Sequence, residues 1–104
     1  MESIEVCAAA AEEEPILANL LELYAHDFSE FLDIELSPDG RYGYAQLPLY
    51  WREPNRHPLL VRVDGNLAGF ALVKGDVNGW DMAEFFVVRR YRRRGIGSEI
   101  AHKV

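Results

Sequence analysis

The chain of 104 residues is long enough for one domain with a modest core, and its content of 49% hydrophobic and 12% aromatic residues argues against disorder. Its single cysteine excludes an internal disulfide, and its formal net charge of −6 disfavours a polyanion as partner. The start carries no basic segment followed by an apolar run, and no apolar stretch approaches bilayer length, so a cytoplasmic protein is expected.

The charge is unevenly distributed along the chain. The first 40 residues contain eleven acidic side chains and no lysine or arginine, whereas five of the eleven basic residues lie between Arg89 and Arg94. This asymmetry suggests a cationic ligand and an anionic ligand, with two solvated surfaces as the alternative. No metal site is expected, because the residues that usually bind metals are widely spaced: Cys7, His26, His57 and His102.

The first third of the chain predicts a strand and a helix. Polar and apolar residues alternate over Ser3–Ala8, which predicts a half-buried strand. A helix is predicted from Pro15, since acidic residues and proline suit a first turn, and its apolar stripe continues to Leu32. His26 and Asp27 fall near the end of this helix, but adjacent positions do not face each other and are poor geometry for a catalytic pair.

A loop and three strands are predicted next. Turn residues and prolines interrupt any period from Ser37 to His57, which indicates a long loop with a short helix near residues 46–51. Three apolar runs follow, joined by the hairpin signal Asp-Gly-Asn and by a polar turn: Pro58–Val63, Leu67–Val73 and Trp80–Val88. The sequence therefore predicts four strands in a mostly antiparallel sheet, with the helix from Pro15 on one face.

The stretch from Asp81 to Ser98 reads as a buried strand, a basic glycine-bearing turn and the start of a helix. The start of a helix has unpaired backbone N–H groups and a partial positive charge, so it suits an anion and above all a phosphate. Gly95 and Gly97 let such a group approach the backbone. An ordinary turn with solvated arginines is the alternative.

The segment Arg92-Arg93-Arg94-Gly95-Ile96-Gly97, placed directly after a strand, resembles the Q/R-x-x-G-x-G/A signature of the GNAT superfamily of acyl-CoA-dependent N-acetyltransferases. Phe85-Phe86-Val87-Val88 and Tyr91 also resemble the family's pattern, whereas Arg89 stands where many members carry proline. The resemblance implies an α/β (α+β) fold with a mostly antiparallel sheet flanked by helices. It covers residues 1–104 as one domain and corresponds to the first two thirds of a typical member.

The family resemblance implies acetyl-CoA as co-substrate, no metal, and two sets of coenzyme contacts. The pyrophosphate would lie against Arg92, Arg93, Arg94, Gly95, Ile96, Gly97 and Ser98, and the pantetheine arm along the main chain of Phe86, Val87 and Val88. The carboxylate of Glu84 would act as the general base. Alternatively, Glu84 faces solvent or contacts Arg62 or Lys74 on a neighbouring strand.

The expected function is transfer of an acetyl group to a primary amine of a small molecule or a protein, by direct attack in a ternary complex. The acidic first part favours a cationic acceptor. A non-catalytic GNAT-like interaction module and a basic-loop nucleic-acid binder are the alternatives, the second disfavoured by the acidic remainder. Residues 101–104 contain no helix-ending signal, so a truncated form is expected. Such a form is either inactive or completes itself as a homodimer through exposed strand edges.

Overall fold

A computed structural model describes residues 3–92 of the chain. The four strands are β1 (Ile4–Ala8), β2 (Arg56–Val63), β3 (Asn66–Asp76) and β4 (Gly79–Val87), and the two α-helices are α1 (Glu14–Phe28) and α2 (Leu49–Arg52). Short 3-10 turns cover Ala11–Glu13 and Arg89–Tyr91. The strands form one antiparallel sheet in the order β1-β2-β3-β4, which confirms the predicted mixed fold. The helix predicted after Gly95 lies outside the described residues.

Helix α1 is shorter than its apolar stripe predicts. It begins at Glu14 with Pro15 in its first turn and ends at Phe28. The hydroxyl of Ser29 donates to the carbonyl of His26 over 2.6 Å, which competes with continuation of the helix. Phe31 and Leu32, predicted to extend the buried stripe, instead lie beyond the helix with 78% and 54% exposure.

The sheet carries a buried cluster on each face. On the first face, α1 packs against residues from the three strands β2 to β4, and the cluster contains Leu17, Leu20, Leu21, Leu60, Phe70, Leu72 and Phe86, among others. The second face carries a smaller cluster formed by Val61, Val63, Ala68, Val87 and Tyr91. Burying aliphatic and aromatic side chains at about 1.5–3 kcal/mol each makes the first cluster the main source of stability.

Each of the two hairpins, β2–β3 and β3–β4, has a feature that stabilises it. Asp64 and Gly65 take positive φ values of 51° and 83°, as the predicted two-residue turn requires. Strands β3 and β4 extend further than predicted, to Asp76 and from Gly79, so the polar turn predicted between them is confined to residues 77–78. The extension is stabilised by Trp80, whose ring covers Gly75 so closely that an added Cβ would lie 2.3 Å from it.

A bulge divides β4 into two halves. Leu72 pairs with Glu84 and Val73 pairs with Met82, which leaves Ala83 as an extra residue on β4. The bulge switches the alternation of side chains, so Glu84 and Phe86 lie on the α1 face although Met82 lies on the other face. Strand β4 therefore directs one carboxylate into the space beside α1.

Candidate active site

A cavity of about 420 Å³ opens between the C-terminal part of α1 and the end of β4. Its lining is mostly aromatic and includes one carboxylate and one guanidinium: Tyr24, Asp27, Phe28, Phe31, Phe85, Phe86, Val87, Tyr91 and Arg92. Such a mostly apolar lining with a few polar groups is typical of a binding site for a small molecule. The lateral edge of β4 that borders the cavity has no strand beside it among residues 3–92.

Glu84 lies beside this cavity, joined to it through Tyr24. The hydroxyl of Tyr24 donates to Glu84 Oε1 over 2.7 Å in a partly buried contact. Burial raises the pKa of Tyr24 above its ordinary value, and the bond to the Glu84 carboxylate raises it further. The neighbouring-strand contacts considered for Glu84 are not formed, because Arg62 pairs with Glu13 at 3.6 Å and the exposed Lys74 lies opposite Asp81 in the register.

Two further tyrosines, Tyr44 and Tyr50, lie on the loop and short helix that follow α1. Burial raises the pKa of Tyr44, and the negative charge of Glu84 raises it further. Tyr50 is buried, and the guanidinium of Arg56 lies 5.3 Å from the centre of its ring. The Glu84 carboxylate thus accepts a hydrogen bond from Tyr24, and no salt bridge to it is formed within residues 3–92.

The main chain of β4 has alternating partners. Val88 donates its N–H to the carbonyl of Ala68 over 2.8 Å, so the alternation of an antiparallel ladder directs the amides of Phe86 and Val88 toward β3. The main-chain groups of Phe85 and Val87 are directed to the open edge. Of the three residues predicted to contact a pantetheine arm, Val87 therefore has the suitable main-chain orientation.

Arg92 is held in place by three groups. Its Nε donates to the carbonyl of Val87 over 2.6 Å, its Nη2 lies 2.6 Å from Asp27 Oδ2, and its guanidinium carbon lies 5.2 Å from the centre of the Phe86 ring. Arg89 approaches the other oxygen of Asp27 at 3.6 Å. The hydrogen bond from Arg92 is the main cause that lowers the pKa of Asp27 below its ordinary value.

Tyr24 and Asp27 were not predicted as site residues. Tyr24 occupies a position in the apolar stripe of α1, and the only sequence signal for it was a hydroxyl at a core position. Asp27 was considered only together with His26, which is exposed. The predicted contacts Arg93, Arg94, Gly95, Ile96, Gly97 and Ser98 lie outside the described residues.

The described residues 3–92 contain no group of three or more His, Cys, Asp or Glu side chains that could hold a metal ion. Over the same range, no helix has the length and apolar character required to cross a membrane.

The model of the acetyltransferase (GNAT) family matches residues 17–104. Solved structures with the same fold include a ribosomal-protein-alanine N-acetyltransferase from Brucella melitensis biovar Abortus 2308, 20% identical over 97% of this chain and 68% of that one, with a TM-score of 0.65. Another is the PaiA N-acetyltransferase of Thermoplasma acidophilum in complex with coenzyme A. It is 16% identical over 97% of this chain and 69% of that one, with a TM-score of 0.67.

A GNAT-family acetyltransferase from Staphylococcus aureus Mu50 is 21% identical over 98% of this chain and 64% of that one, with a TM-score of 0.65. The chain thus spans about two thirds of the length of these structures. No curated protein matches the chain.

Proposed function

Because the chain belongs to the acetyltransferase (GNAT) family, we propose that it transfers an acetyl group from acetyl-CoA to a primary amine of its acceptor by direct attack in a ternary complex. The observation that carries the proposal is the partly buried Glu84 carboxylate, bonded to Tyr24 beside a cavity at the open edge of β4. We further propose that residues 1–104 belong to a single domain that acts in the cytoplasm.

The co-substrate would be bound by the end of β4 and by the loop that follows it. In the proposal, the thioester end of the pantetheine arm lies against the main-chain N–H of Val87, with Phe86 and Val88 forming the adjacent wall. The pyrophosphate would be held by backbone N–H groups and by arginine side chains over residues 93–98. The apolar lining of the cavity and the outward orientation of the Val87 main chain support this arrangement.

Glu84 would serve as the general base. An alkyl amine is largely protonated near neutral pH, so a proton must leave it before its nitrogen attacks the thioester carbonyl. The Glu84 carboxylate accepts that proton, directly or through one water, while Tyr24 keeps it oriented. The N–H of Val87 stabilises the negative charge that develops on the thioester oxygen. The C–S bond then breaks, and the thiolate leaves and takes up a proton.

The acceptor would approach from the side of the α1–α2 loop, because Tyr44 on that loop is near enough to Glu84 for the carboxylate's charge to raise its pKa. Eleven carboxylates and no lysine or arginine in the first 40 residues favour a cationic acceptor, either a small amine or an amine of a protein.

The proposal is tested by titrating acetyl-CoA into the chain and then measuring thiol release with a panel of amines. The expected result is coenzyme binding, turnover with at least one amine, and a loss of kcat of about 10²–10⁴-fold in Glu84→Gln with coenzyme binding retained. Asp81→Asn, on the same strand but exposed, is the matched control and should stay active. A folded chain that binds RNA but not acetyl-CoA would overturn the proposal.

A further inference from the structure

Asp27 and Arg92 form a close ion pair between two elements that are distant in sequence. Asp27 is the penultimate residue of α1, and Arg92 stands immediately after the 3-10 turn that follows β4. Their side chains approach to 2.6 Å with exposures of 25% and 37%. Both residues line the cavity, so the pair forms part of the wall of the proposed coenzyme site.

Local helix chemistry does not favour an aspartate at this position. The C-terminal end of a helix carries a partial negative charge, which repels a carboxylate. Arg92 and Arg89 provide the compensation, at 2.6 Å and 3.6 Å respectively. The position of Asp27 is thus explained by the arginines that it holds rather than by the helix that carries it.

The contacts of Arg92 also differ from those expected of a side chain waiting for a phosphate. Two of its nitrogens are already bonded, to a carboxylate and to the carbonyl of Val87, and its guanidinium lies over Phe86. Withdrawing it toward a phosphate would break two short charge-assisted bonds and leave Asp27 with Arg89 alone.

We propose that Asp27 is a positioning residue for the coenzyme. It holds Arg92 against the end of β4, and the pair shapes the wall of the cavity that the coenzyme enters. In this role Arg92 links α1 to the end of β4 and does not bind phosphate. Phosphate binding is then left to residues 93–98. This inference rests on the proposed function, because it assumes that the loop binds coenzyme A.

The test compares dissociation constants for coenzyme A, measured by isothermal titration, in Asp27→Asn, Arg92→Gln, Arg92→Lys and the Asp27→Asn/Arg92→Gln double variant. We expect each single variant to weaken coenzyme binding about tenfold. The double variant should bind no more weakly than either single variant, because both changes remove the same link between α1 and β4. Arg92→Lys is decisive, since an ammonium keeps the charge but cannot span both Asp27 and Val87.

Two variants serve as controls for this test. Arg89→Gln, which removes the exposed arginine at 3.6 Å, should change binding less than twofold, roughly the limit for a weak surface pair. Asp27→Glu should restore part of the affinity lost in Asp27→Asn. In the test variants Asp27→Asn and Arg92→Gln, kcat at saturating coenzyme should stay near the wild-type value, whereas KM for coenzyme should rise.

Several results would overturn the inference. Tighter or unchanged binding in Asp27→Asn would mean that Asp27 competes with phosphate or has no effect on it. Wild-type affinity in Arg92→Lys would mean that charge alone matters, and additive losses would mean that the two residues act separately. If folded wild type binds no coenzyme, the proposed function fails and the inference with it, which is a distinct outcome from a wild type that binds and variants that match it.

Discussion

The hydroxyl of Tyr24 on α1 donates to the carboxylate of Glu84 on β4 over 2.7 Å. The bond joins the helix to the strand at the edge of the main core, where Tyr24 also contacts Phe28, Phe70 and Phe86 edge-on. A charged acceptor in such surroundings makes the bond stronger than one between neutral groups. The contact therefore stabilises the fold and orients the proposed base at the same time.

Replacing Tyr24 by Phe should lower the free energy of unfolding by about 1–2 kcal/mol, because the carboxylate loses a donor in a partly buried place. It should also lower kcat, since Glu84 is less firmly oriented. Urea unfolding and steady-state kinetics measure the two effects. Tyr42→Phe is the control, because the Tyr42 hydroxyl has no hydrogen-bond partner in the described part of the chain. Equal stability of the two variants would contradict the structural role of the bond.

Replacing Glu22 by Gln should loosen the loop between α1 and α2. The Glu22 carboxylate accepts the backbone N–H groups of Tyr42 and Gly43, both at 2.8 Å, and lies 3.6 Å from Arg41. A glutamine retains one acceptor oxygen, so one amide loses its partner. We expect faster hydrogen exchange at one of the two amides and a higher KM for the acceptor, with coenzyme affinity unchanged.

The exposed Glu12→Gln serves as the control for the Glu22 variant. Unchanged exchange at Tyr42 and Gly43 in Glu22→Gln would show that the carboxylate does not hold the loop.

Replacing Gly69 by Ala should destabilise the chain by about 1–3 kcal/mol, since an added Cβ would lie 2.0 Å from the carbonyl oxygen of Phe86. The strands β3 and β4 must separate at this point, which displaces the Val87 main chain as well. A urea titration gives the change in stability, and coenzyme affinity should fall with it. Asn66→Ala on an exposed position of β3 should be nearly neutral, and an equal loss in both variants would contradict the steric explanation.

The stability contributed by Asp27 should depend on pH with a defined sign. Its pKa in the folded chain is lowered below the ordinary value of 3.8, chiefly by the hydrogen bond from Arg92. The contribution is therefore fully present above about pH 4 and is lost as the pH falls through the lowered folded pKa. The difference in unfolding free energy between wild type and Asp27→Asn should shrink over that acidic window.

The exposed Asp33→Asn, which forms no ion pair within residues 3–92, provides the baseline for the acid titration. A difference between wild type and Asp27→Asn that stays constant from pH 7 to about pH 2 would contradict the assignment.

Local signals in the sequence were sufficient for the framework of the fold. The Asp64-Gly65 turn, the proline in the first turn of α1 and the alternation over β1 each depend on neighbouring residues, and each is confirmed. The pairs that build the candidate site are separated by 60 residues for Tyr24 and Glu84 and by 65 for Asp27 and Arg92. No local pattern encodes such a contact, so the structure was needed to find both.

The bulge in β4 could not be predicted from the sequence either. Simple alternation along β4 places Trp80, Met82, Glu84 and Phe86 on one face, and this pattern is broken only by the extra residue Ala83. Nothing in an Ala83-Glu84 dipeptide announces a bulge. Trp80 and Met82 consequently remain exposed on the far face, at 66% and 38%, while Phe86 is buried beneath α1.

The bond from Arg92 to the carbonyl of Val87 has a consequence for how the chain behaves in concentrated solution. A strand edge with free carbonyls can pair with a strand of another chain, and repeated pairing of this kind leads to aggregation. Arg92 occupies one of these acceptors at the end of β4 and places a positive charge next to it. A second β4 cannot align there without displacing the guanidinium. The same contact that shapes the wall of the cavity therefore also disfavours strand addition at this one carbonyl.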